Sequence, residues 1–294
     1  MQKEFYKFKI GAFECIAVND GGLNYPLEVF FSNAPIEEVK ASLRQQGLTT
    51  EHIHTPYTCL FINTGQNQIM IDTGAGDIAR DAHNFFPTID NTNARSGKLA
   101  ENLQAAGIEL DQVDTVIITH AHPDHIAGTL TGGGELVFKH AKYFVARAEH
   151  EYWMSAEAEG LSSPSMVETA RWYLAPLKGK LILLDGEIEI LPGITILPAP
   201  GHTPGHIVIE VSSSGEKMLH IADTALTPLH LEHPGWQPLY DINPEDALRS
   251  KRQIFDWAAE AKALVFGHHF PPFPALGYVD KREAGWHWVP VERV

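Results

Sequence analysis

One short stretch, Thr119-His120-Ala121-His122-Pro123-Asp124-His125, combines three imidazoles and one carboxylate. The apolar run Thr115-Val116-Ile117-Ile118 comes directly before it. That run is β-branched and uncharged, which is typical of a buried strand. The end of such a strand is a common place for the chemistry of α/β proteins. Imidazole and carboxylate ligands suit zinc, manganese, iron or cobalt, so the stretch indicates a metal site.

The spacing within this stretch allows two ions. His120 and His122 are two residues apart, so an extended backbone points both rings to one side. Asp124 and His125 follow in what Pro123 indicates is a first helical turn, and they can face a second ion. The alternative is a histidine-rich surface loop, since the chain has 16 histidines in 294 residues. This pattern arises by chance in roughly one such chain in several hundred, so we favour the metal site.

Composition excludes several function classes. The net charge is −15 and the 22 Lys and Arg residues are scattered, which argues against a nucleic-acid surface. No apolar run is long enough to span a membrane, and the N-terminus has no signal-peptide pattern, so we expect a cytoplasmic protein. Cys15 and Cys59 both lie in apolar strand-like runs and are interpreted as core thiols.

Strand pairs and helices recur in both halves of the chain, which predicts one compact α/β domain over residues 1–294, built from two similar halves. Two local features are less clear. Asp20-Gly21-Gly22 is predicted to close an N-terminal strand pair. The apolar segment Leu23 to Phe31 has no clean period, and it fits either a piece of core or a flap over a pocket.

Further metal ligands follow other short apolar runs. His202 lies in a tight turn after Ile194 to Leu197, and Asp223 follows Met218 to Ile221. The pair His268 and His269 follows the predicted strand Leu264 to Phe266. Each of these is weak evidence alone, because a lone aspartate at a strand end is more often a cap. Together they complete a ligand set at strand ends.

These motifs resemble the metallo-β-lactamase fold superfamily of hydrolases: Thr119 to His125, Pro200 to His206, Ile221 to Thr224, and Phe266 to His268, with Asp72-Thr73-Gly74 upstream. The resemblance implies a four-layer αββα sandwich with a two-metal site at one edge. It also implies roles for individual residues. His120, His122 and His202 would bind one ion, Asp124, His125 and the last histidine would bind the other, Asp223 would bridge them, and Asp72 would orient a ligand imidazole.

The last ligand is left open between two adjacent residues. The pattern Phe266-Gly267-His268 resembles the version of the family in which His268 coordinates, and we prefer it. Some relatives place the ligand directly before a Phe-Pro stretch, which would select His269.

The flanking sequence is most similar to the quorum-quenching lactonase and methyl-parathion-hydrolase-like branch. The similarity lies in Gly107-Ile108, His233 to Trp236, and Phe270 to Gly277, although Pro271 to Pro274 departs from the usual spacing. This implies a dinuclear hydrolase whose metal-bridging hydroxide attacks a lactone, ester or phosphotriester, with Asp124 as the proton shuttle. We expect two divalent ions, zinc first, with manganese, iron or cobalt as alternatives.

The expected partner is a small, uncharged substrate, with no nucleic acid and no membrane; a homodimer is among the assemblies that the resemblance allows. Two alternatives share the ligand set. One is an iron-dependent redox enzyme similar to persulfide dioxygenases, and the other is a thioesterase similar to glyoxalase II, for which Lys281-Arg282 is a thin candidate cationic site. A non-catalytic metal-binding scaffold is a third, weaker alternative.

Overall fold

The computed structural model describes residues 4–76 and 96–292, which form two mixed β-sheets of seven strands each. The strands of the first sheet, in spatial order, are β1 (Phe5–Ile10), β2 (Phe13–Tyr25), β3 (Ile53–Asn63), β4 (Gln68–Ile71), β5 (Thr115–Ile117), β6 (Lys142–Ala146) and β7 (Leu181–Leu184). The strands of the second sheet, also in spatial order, are β8 (Ile188–Leu191), β9 (Ile194–Pro198), β10 (Ile207–Ser213), β11 (Glu216–His220), β12 (Leu264–Phe266), β13 (Leu276–Lys281) and β14 (Trp286–Pro290).

The two sheets share a pattern of strand pairing. In the first, β1 to β4 pair antiparallel, and β4 to β7 pair parallel. In the second, β8 to β11 pair antiparallel, β11 and β12 pair parallel, and β13 and β14 follow antiparallel. Each sheet therefore begins as an antiparallel meander and contains parallel strands whose carboxyl ends meet at one edge.

Helices connect these strands, and some of them cover the outer faces of the two sheets. They are α1 (Leu27–Phe30), α2 (Ile36–Gln45), α3 (Leu99–Ala105), α4 (Pro123–Ile126), α5 (Arg147–Met154), α6 (Ala156–Leu161), α7 (Pro164–Leu174), α8 (Leu229–Glu232) and α9 (Pro244–Ala261). Asn243 caps α9 by accepting a hydrogen bond from the Asp246 N–H, with Pro244 at its first position, as the sequence predicts. Among the described residues, no helix has the length and apolarity needed to cross a bilayer.

Three buried layers of apolar side chains separate these elements. The inner faces of the two sheets pack on each other through residues such as Ile62 of β3 and Ile196 of β9. The outer face of the first sheet packs on the helices that include α5 and α7, and that of the second packs on α9 through Phe255. This arrangement confirms the predicted αββα sandwich and places a sheet edge from each half side by side.

The predicted N-terminal turn is wrong. Strand β2 continues through Asp20-Gly21-Gly22 to Tyr25 and pairs with β3, with a register shift between Asn19 and Gly21. The Asp20 carboxylate is fully buried and accepts hydrogen bonds from the main-chain N–H groups of Ala75, Gly97 and Leu99 at 2.8, 3.2 and 2.7 Å. An aspartate followed by glycines is typical of a turn, but these long-range hydrogen bonds hold it inside the fold.

The segment from Leu23 to Phe31 is the end of β2 followed by α1, and its apolar side chains are buried. They pack in one cluster with Leu226, Leu229 and Trp236 from the segment between β11 and α9. Its main chain is also held there, because Leu239 N–H donates to the Val29 carbonyl at 2.8 Å. Of the two interpretations left open, a piece of core agrees with this packing.

Candidate metal centre

The histidine-rich stretch lies where β5 ends and α4 begins. His122 is the extended residue before α4, with φ −69° and ψ 153°, and Pro123 occupies the first helical turn. The proline ring fixes a backbone angle that suits this position and removes an N–H that would have no helical partner. As predicted from the sequence, His120 and His122 precede the turn, while Asp124 and His125 lie within it.

A first cluster consists of His120, His122, His202 and one oxygen of Asp223, all buried. His202 Nε2 lies 3.0 Å from His122 Nδ1 and 3.1 Å from Asp223 Oδ2. His120 Nε2 lies 3.6 Å from the same oxygen. Ligand atoms on one tetrahedral zinc ion are about 3.4 Å apart, so this spacing fits a single ion.

A second cluster faces the other oxygen of Asp223. His125 Nε2 and His269 Nε2 lie 3.1 and 3.2 Å from Asp223 Oδ1. Asp124 Oδ2 lies 3.4 Å from His269 Nε2, and the Asp124 side chain is 19% exposed, whereas the Asp223 side chain is 5% exposed. The second cluster is therefore the one that reaches solvent, through Asp124.

The adjacent histidines of the last motif have different surroundings. One nitrogen each of His268, His125 and His269 lies within 4.8 Å of the others, so His268 is close to the second cluster. However, it is His269 that approaches both Asp124 and Asp223, and its Nδ1–H donates to the Pro56 carbonyl at 3.0 Å. His268 makes no such ion pair or hydrogen bond among the described residues. The geometry thus favours the alternative ligand over the one preferred from the sequence.

The ring orientations are fixed by hydrogen bonds at the nitrogen that faces away from the clusters. His125 Nδ1–H donates to Asp72 Oδ2 at 2.8 Å, His202 Nδ1–H donates to Asp241 Oδ1 at 2.9 Å, and His120 Nδ1–H donates to Thr119 Oγ1 at 3.1 Å. In each ring the opposite nitrogen points inward, where it can bind a metal ion once it is deprotonated. This is the arrangement that outer partners of metal-binding histidines provide.

Asp72 lies directly after β4 and joins several of these groups. Besides His125, it accepts from the Thr119 N–H and from Thr119 Oγ1, both at 2.8 Å. Its φ is +55°, in the left-handed region that non-glycine residues seldom adopt. The family resemblance implies that Asp72 orients a ligand imidazole, and the structure places its carboxylate against the imidazole of His125.

Asp223 itself is held by His206, which belongs to the Pro200–His206 motif. The Asp223 N–H donates to His206 Nε2 at 3.0 Å, and His206 Nδ1–H donates to the Ala199 carbonyl at the same distance. Burial lowers the pKa of His206 to about 3, so it remains a neutral acceptor. His206 therefore fixes the backbone from which the shared carboxylate projects.

Sequence reasoning missed Glu149, a fully buried carboxylate in the first turn of α5. It accepts from the Ala121 N–H at 2.8 Å, from Thr203 Oγ1, from the Gly205 N–H at 3.1 Å and from Trp153 Nε1 at 2.6 Å. A Cβ at Gly205 would lie 2.0 Å from the Glu149 nitrogen, so only glycine fits there. Glu149 thereby ties the His120–His122 loop to the His202 loop, and no local pattern in the sequence signals this.

Sequence reasoning also missed Asp241, the partner of His202. The segment after it is pinned to the same turn, because Ile242 N–H donates to the His202 carbonyl at 3.1 Å and Asn243 N–H donates to the Gly201 carbonyl at 2.8 Å. The only local signal was the position of Asp241 two residues before the helix cap at Asn243. That signal indicates a helix start and not a contact with a histidine 39 residues away.

The buried carboxylates of the site favour positive charge on the groups between them. Burial lowers the pKa of His202, but the carboxylates of Asp223 and Asp241 outweigh it and raise that pKa to about 9. Burial has the same opposed effect at His125, whose pKa is raised well above its usual value by Asp223 and Asp72. Burial raises the pKa of Asp223, but the surrounding imidazoles hold it well below the usual range.

Several buried atoms that point into the clusters have no hydrogen-bond partner among the described residues: His120 Nε2, His125 Nε2 and Asp223 Oδ1. Buried polar atoms without partners are rare in folded proteins. Here they are nitrogen and carboxylate donors at ligand spacing, so the residues fit divalent metal ions on chemical grounds.

A family model for the metallo-beta-lactamase superfamily matches residues 52–268, the region that carries every residue of both clusters except His269. The chain belongs to the metallo-beta-lactamase superfamily. The predicted family and its fold are thereby confirmed.

Similar proteins place this superfamily member in its lactonase-like branch. It is 27% identical over 226 residues to "N-acyl homoserine lactonase AiiA" of Bacillus thuringiensis subsp. kurstaki, covering 74% of this chain and 82% of that protein. It is 24% identical over 237 residues to "N-acyl homoserine lactonase AiiB" of Agrobacterium fabrum, covering 76% and 83%.

Solved structures agree over almost the whole chain. The structure of AidC, a dizinc quorum-quenching lactonase in complex with a product, superimposes with a TM-score of 0.89 at 27% identity, covering 99% of this chain and 98% of that one. The hydrolase AbOPH gives a TM-score of 0.86 at 25% identity, covering 100% and 99%. The superfamily member described here is an enzyme, a metal-dependent hydrolase.

Proposed function

We propose that this hydrolase opens small, uncharged lactones with the help of two divalent metal ions. The observation that carries the proposal is the position of Asp223, whose two carboxylate oxygens face two separate clusters of imidazoles. Oδ2 faces His202 and Oδ1 faces His125 and His269, all at 3.1 to 3.2 Å. One carboxylate between two ligand sets is the simplest way to hold two ions side by side.

The ligand assignment follows the distances. The first ion would be held by His120, His122, His202 and Asp223 Oδ2. The second would be held by His125, His269, Asp223 Oδ1 and Asp124. We choose zinc first for both positions, because nitrogen and oxygen ligands at tetrahedral spacing suit it and because AidC is described as a dizinc enzyme.

Different carboxylates of the protein would then carry the proton and orient the metal ligands. Bound divalent ions supply Lewis acidity and lower the pKa of water to about 7, which provides a nucleophile at neutral pH. Asp124 is the carboxylate of the site that is open to solvent, so its Oδ2 can take the proton of the attacking water and return it to the ring oxygen that leaves. Asp72, Asp241 and Glu149 keep the imidazoles oriented during this transfer.

The walls of the site favour an uncharged substrate. Tyr57 lies edge-on to His269 with ring centroids 5.6 Å apart, and Tyr240 lies edge-on to His122 at 6.2 Å. Tyr57 and Phe30 belong to one buried apolar cluster, and Trp236 and Tyr240 are partly buried against it. Lactones, and acyl chains attached to them, suit aromatic surfaces of this kind. N-acyl homoserine lactones, which the names of AiiA and AiiB give as substrates, are the first class to test.

The test is a substrate panel on protein whose metal content has been measured. We expect ring opening of N-acyl homoserine lactones by zinc-loaded enzyme, followed by acid release. Esters, phosphotriesters and glutathione thioesters form the rest of the panel. Faster turnover of any of these classes than of every lactone would overturn the proposal. The matched control is Asp124→Asn, which keeps an oxygen ligand but cannot carry the proton, and we expect a loss in kcat of at least about 100-fold.

The redox alternative has its own outcome in the same experiment. Iron-loaded protein that consumes oxygen with a persulfide, and that leaves lactones intact, would replace hydrolysis by oxidation. Measuring oxygen uptake and acid release on the same preparation separates the two chemistries.

A further inference from the structure

Two buried histidines, His220 and His268, lie beside the metal centre without facing its carboxylates. His220 ends β11, and its ring stacks on Phe266 with centroids 5.1 Å apart. His268 lies two residues beyond β12, and its ring stacks on His125 at 4.1 Å. Strands β11 and β12 run parallel with His220 opposite Phe266, so both histidines reach the same end of the second sheet. Each side chain is 0% exposed.

All four ring nitrogens of these histidines lack a hydrogen-bond partner within the described part of the chain. A neutral imidazole ring has one N–H donor and one lone-pair acceptor. Groups of this kind in a folded interior normally contact protein, ordered water or an ion.

The two rings converge on Asp72. One nitrogen of each ring and one oxygen of the Asp72 carboxylate lie within 4.8 Å of one another. Asp72 already accepts from the Thr119 N–H, Thr119 Oγ1 and His125 Nδ1. A carboxylate has about four acceptor positions, so one remains. Neither histidine makes a hydrogen bond or an ion pair with Asp72, so the three atoms surround a common point without direct contact.

We propose that Asp72, His220 and His268 form a third polar site that binds one water molecule and not a third metal ion. Two atoms that share one water at about 2.8 Å each are about 4.6 Å apart, whereas two ligands of one zinc ion are about 3.4 Å apart. The first metal cluster shows the shorter spacing, with His202 Nε2 at 3.0 and 3.1 Å from its neighbours. Around Asp72 the three atoms lie within 4.8 Å of one another, yet neither imidazole makes a hydrogen bond or ion pair with the carboxylate, which fits a shared water better than a metal ion.

Charge leads to the same choice, and this step rests on the two-metal centre proposed above. Of the three groups that surround this third site, only the Asp72 carboxylate carries a negative charge. A third divalent ion would add two positive charges to a fully buried position without adding any anion. Water adds none. It can donate to Asp72 and to one imidazole while accepting from the N–H of the other, which gives the three hydrogen bonds that buried water molecules typically make.

The site has a consequence for the second metal ion. Asp72 orients His125, so a water molecule that fixes Asp72 also fixes the ring that faces Asp223. His220 would then act on the metal centre only through the water and Asp72. We therefore describe His220 and His268 as positioning residues, with an effect on metal affinity no larger than that of other outer partners, roughly 10- to 100-fold.

The direct test is a crystal structure of the zinc-loaded enzyme with diffraction data collected at the zinc absorption edge. We expect two anomalous peaks at the metal clusters, and a separate peak without anomalous signal within hydrogen-bonding distance of Asp72, His220 and His268. A third anomalous peak there would overturn the proposal in favour of a metal, and absence of any peak there would overturn it in favour of an unfilled site. Failure of the two-metal proposal would appear separately, at the metal clusters.

A variant pair tests the same site in solution. His220→Leu removes one partner of the water; we expect the zinc content to stay at two ions, a lower unfolding midpoint and a weaker second ion. The matched control is Met218→Leu, a buried apolar substitution on the same face of β11. If nothing is bound, His220→Leu should instead raise the midpoint, because it removes unpaired buried nitrogens. If a metal is bound, the variant should lose one of three ions.

Discussion

The two metal clusters use the same kind of ligand but are supported differently. In the first, His202 is held by the Asp241 carboxylate, and the loops on both sides are tied to Glu149. In the second, His125 is held by Asp72, while His269 Nδ1–H donates to the main-chain carbonyl of Pro56 and to no side chain among the described residues. The second also includes Asp124, the carboxylate that is open to solvent.

This difference separates two tasks within one site. A cluster closed by buried carboxylates keeps its imidazoles in one geometry and holds an ion firmly. A cluster with an exposed ligand and weaker support can meet a substrate and change its coordination. We infer that the first ion serves mainly as an anchor and that the second lies on the side where substrate arrives.

The largest effect on metal content is expected from removing the Asp223 carboxylate, which both clusters share. Asp223→Ala should remove both ions and all activity, because each cluster loses one oxygen of the carboxylate that lies between them. Elemental analysis of the purified variant measures this. Asp124→Ala is the control, since it belongs to the second cluster only and should leave at least one ion. A variant at Asp223 that retains two ions would show that the clusters are independent.

The next effect separates the adjacent histidines. His269→Ala should lose the second ion, because its Nε2 faces Asp223 and Asp124. His268→Ala should keep two ions, with at most about a 100-fold weaker second site. Metal titration of both variants decides between them. Should the result be reversed, His268 is the ligand and the assignment made from distances fails.

The supporting carboxylates should act on one ion each. Asp241→Asn is expected to weaken the first ion about 10- to 100-fold, and Asp72→Asn the second by a similar factor, because each replaces the acceptor of an imidazole N–H. Competition with a chelator of known affinity resolves the two binding steps. Equal weakening of both ions by either variant would show that the clusters do not have separate supports.

Glu149 should affect stability together with the first ion. Glu149→Gln puts an NH₂ group among four donors, and we expect a loss of about 2 kcal/mol in the free energy of unfolding of the metal-free protein. The matched control on the same helix is Arg147→Gln. It removes an exposed ion pair with Asp185 and should cost less than about 1 kcal/mol. Similar losses in both variants would contradict a special role for Glu149.

The residues that hold the metal ligands in place were harder to predict than the ligands themselves. His120, His202 and Asp223 stand at the ends of short apolar runs, a local pattern that the sequence displays directly. Glu149 and Asp241 make contacts across 28 to 56 residues, and only the packing of α5 and the loop before α9 brings them to the site. The strands of the two sheets could be predicted for the same reason as the ligands, because the sequence pattern of a strand is also local.

Other differences have physical causes as well. The turn expected at Asp20 fails because three distant N–H groups satisfy its carboxylate inside the fold. The choice between His268 and His269 depends on which ring reaches Asp223, and adjacent residues at a strand end cannot be ranked by spacing alone. Metal identity, assembly as a homodimer and cytoplasmic location stay predictions.

The smallest expected effect is the dependence of metal affinity on pH, which samples both clusters at once. Without metal, Asp223 and its neighbours raise the pKa of His202 to about 9, and that of His125 well above the usual value, against the lowering effect of burial. Both rings therefore carry protons at pH 7 that an ion must displace. Because the metal-free state binds more protons, affinity should rise with pH, about tenfold per unit for each proton released.

Calorimetric titration with zinc in two buffers of different protonation enthalpy counts those protons, and we expect one for each ion at pH 7. Burial lowers the pKa of His120 and His122, so neither contributes a proton. Asp241→Asn removes one of the carboxylates that raise the pKa of His202, so it should reduce the release that accompanies the first ion and leave that of the second unchanged. Zinc binding without proton release in the wild-type protein would mean that Asp223 does not draw protons onto either cluster. In that case the charge of the shared carboxylate is balanced by something other than its imidazoles.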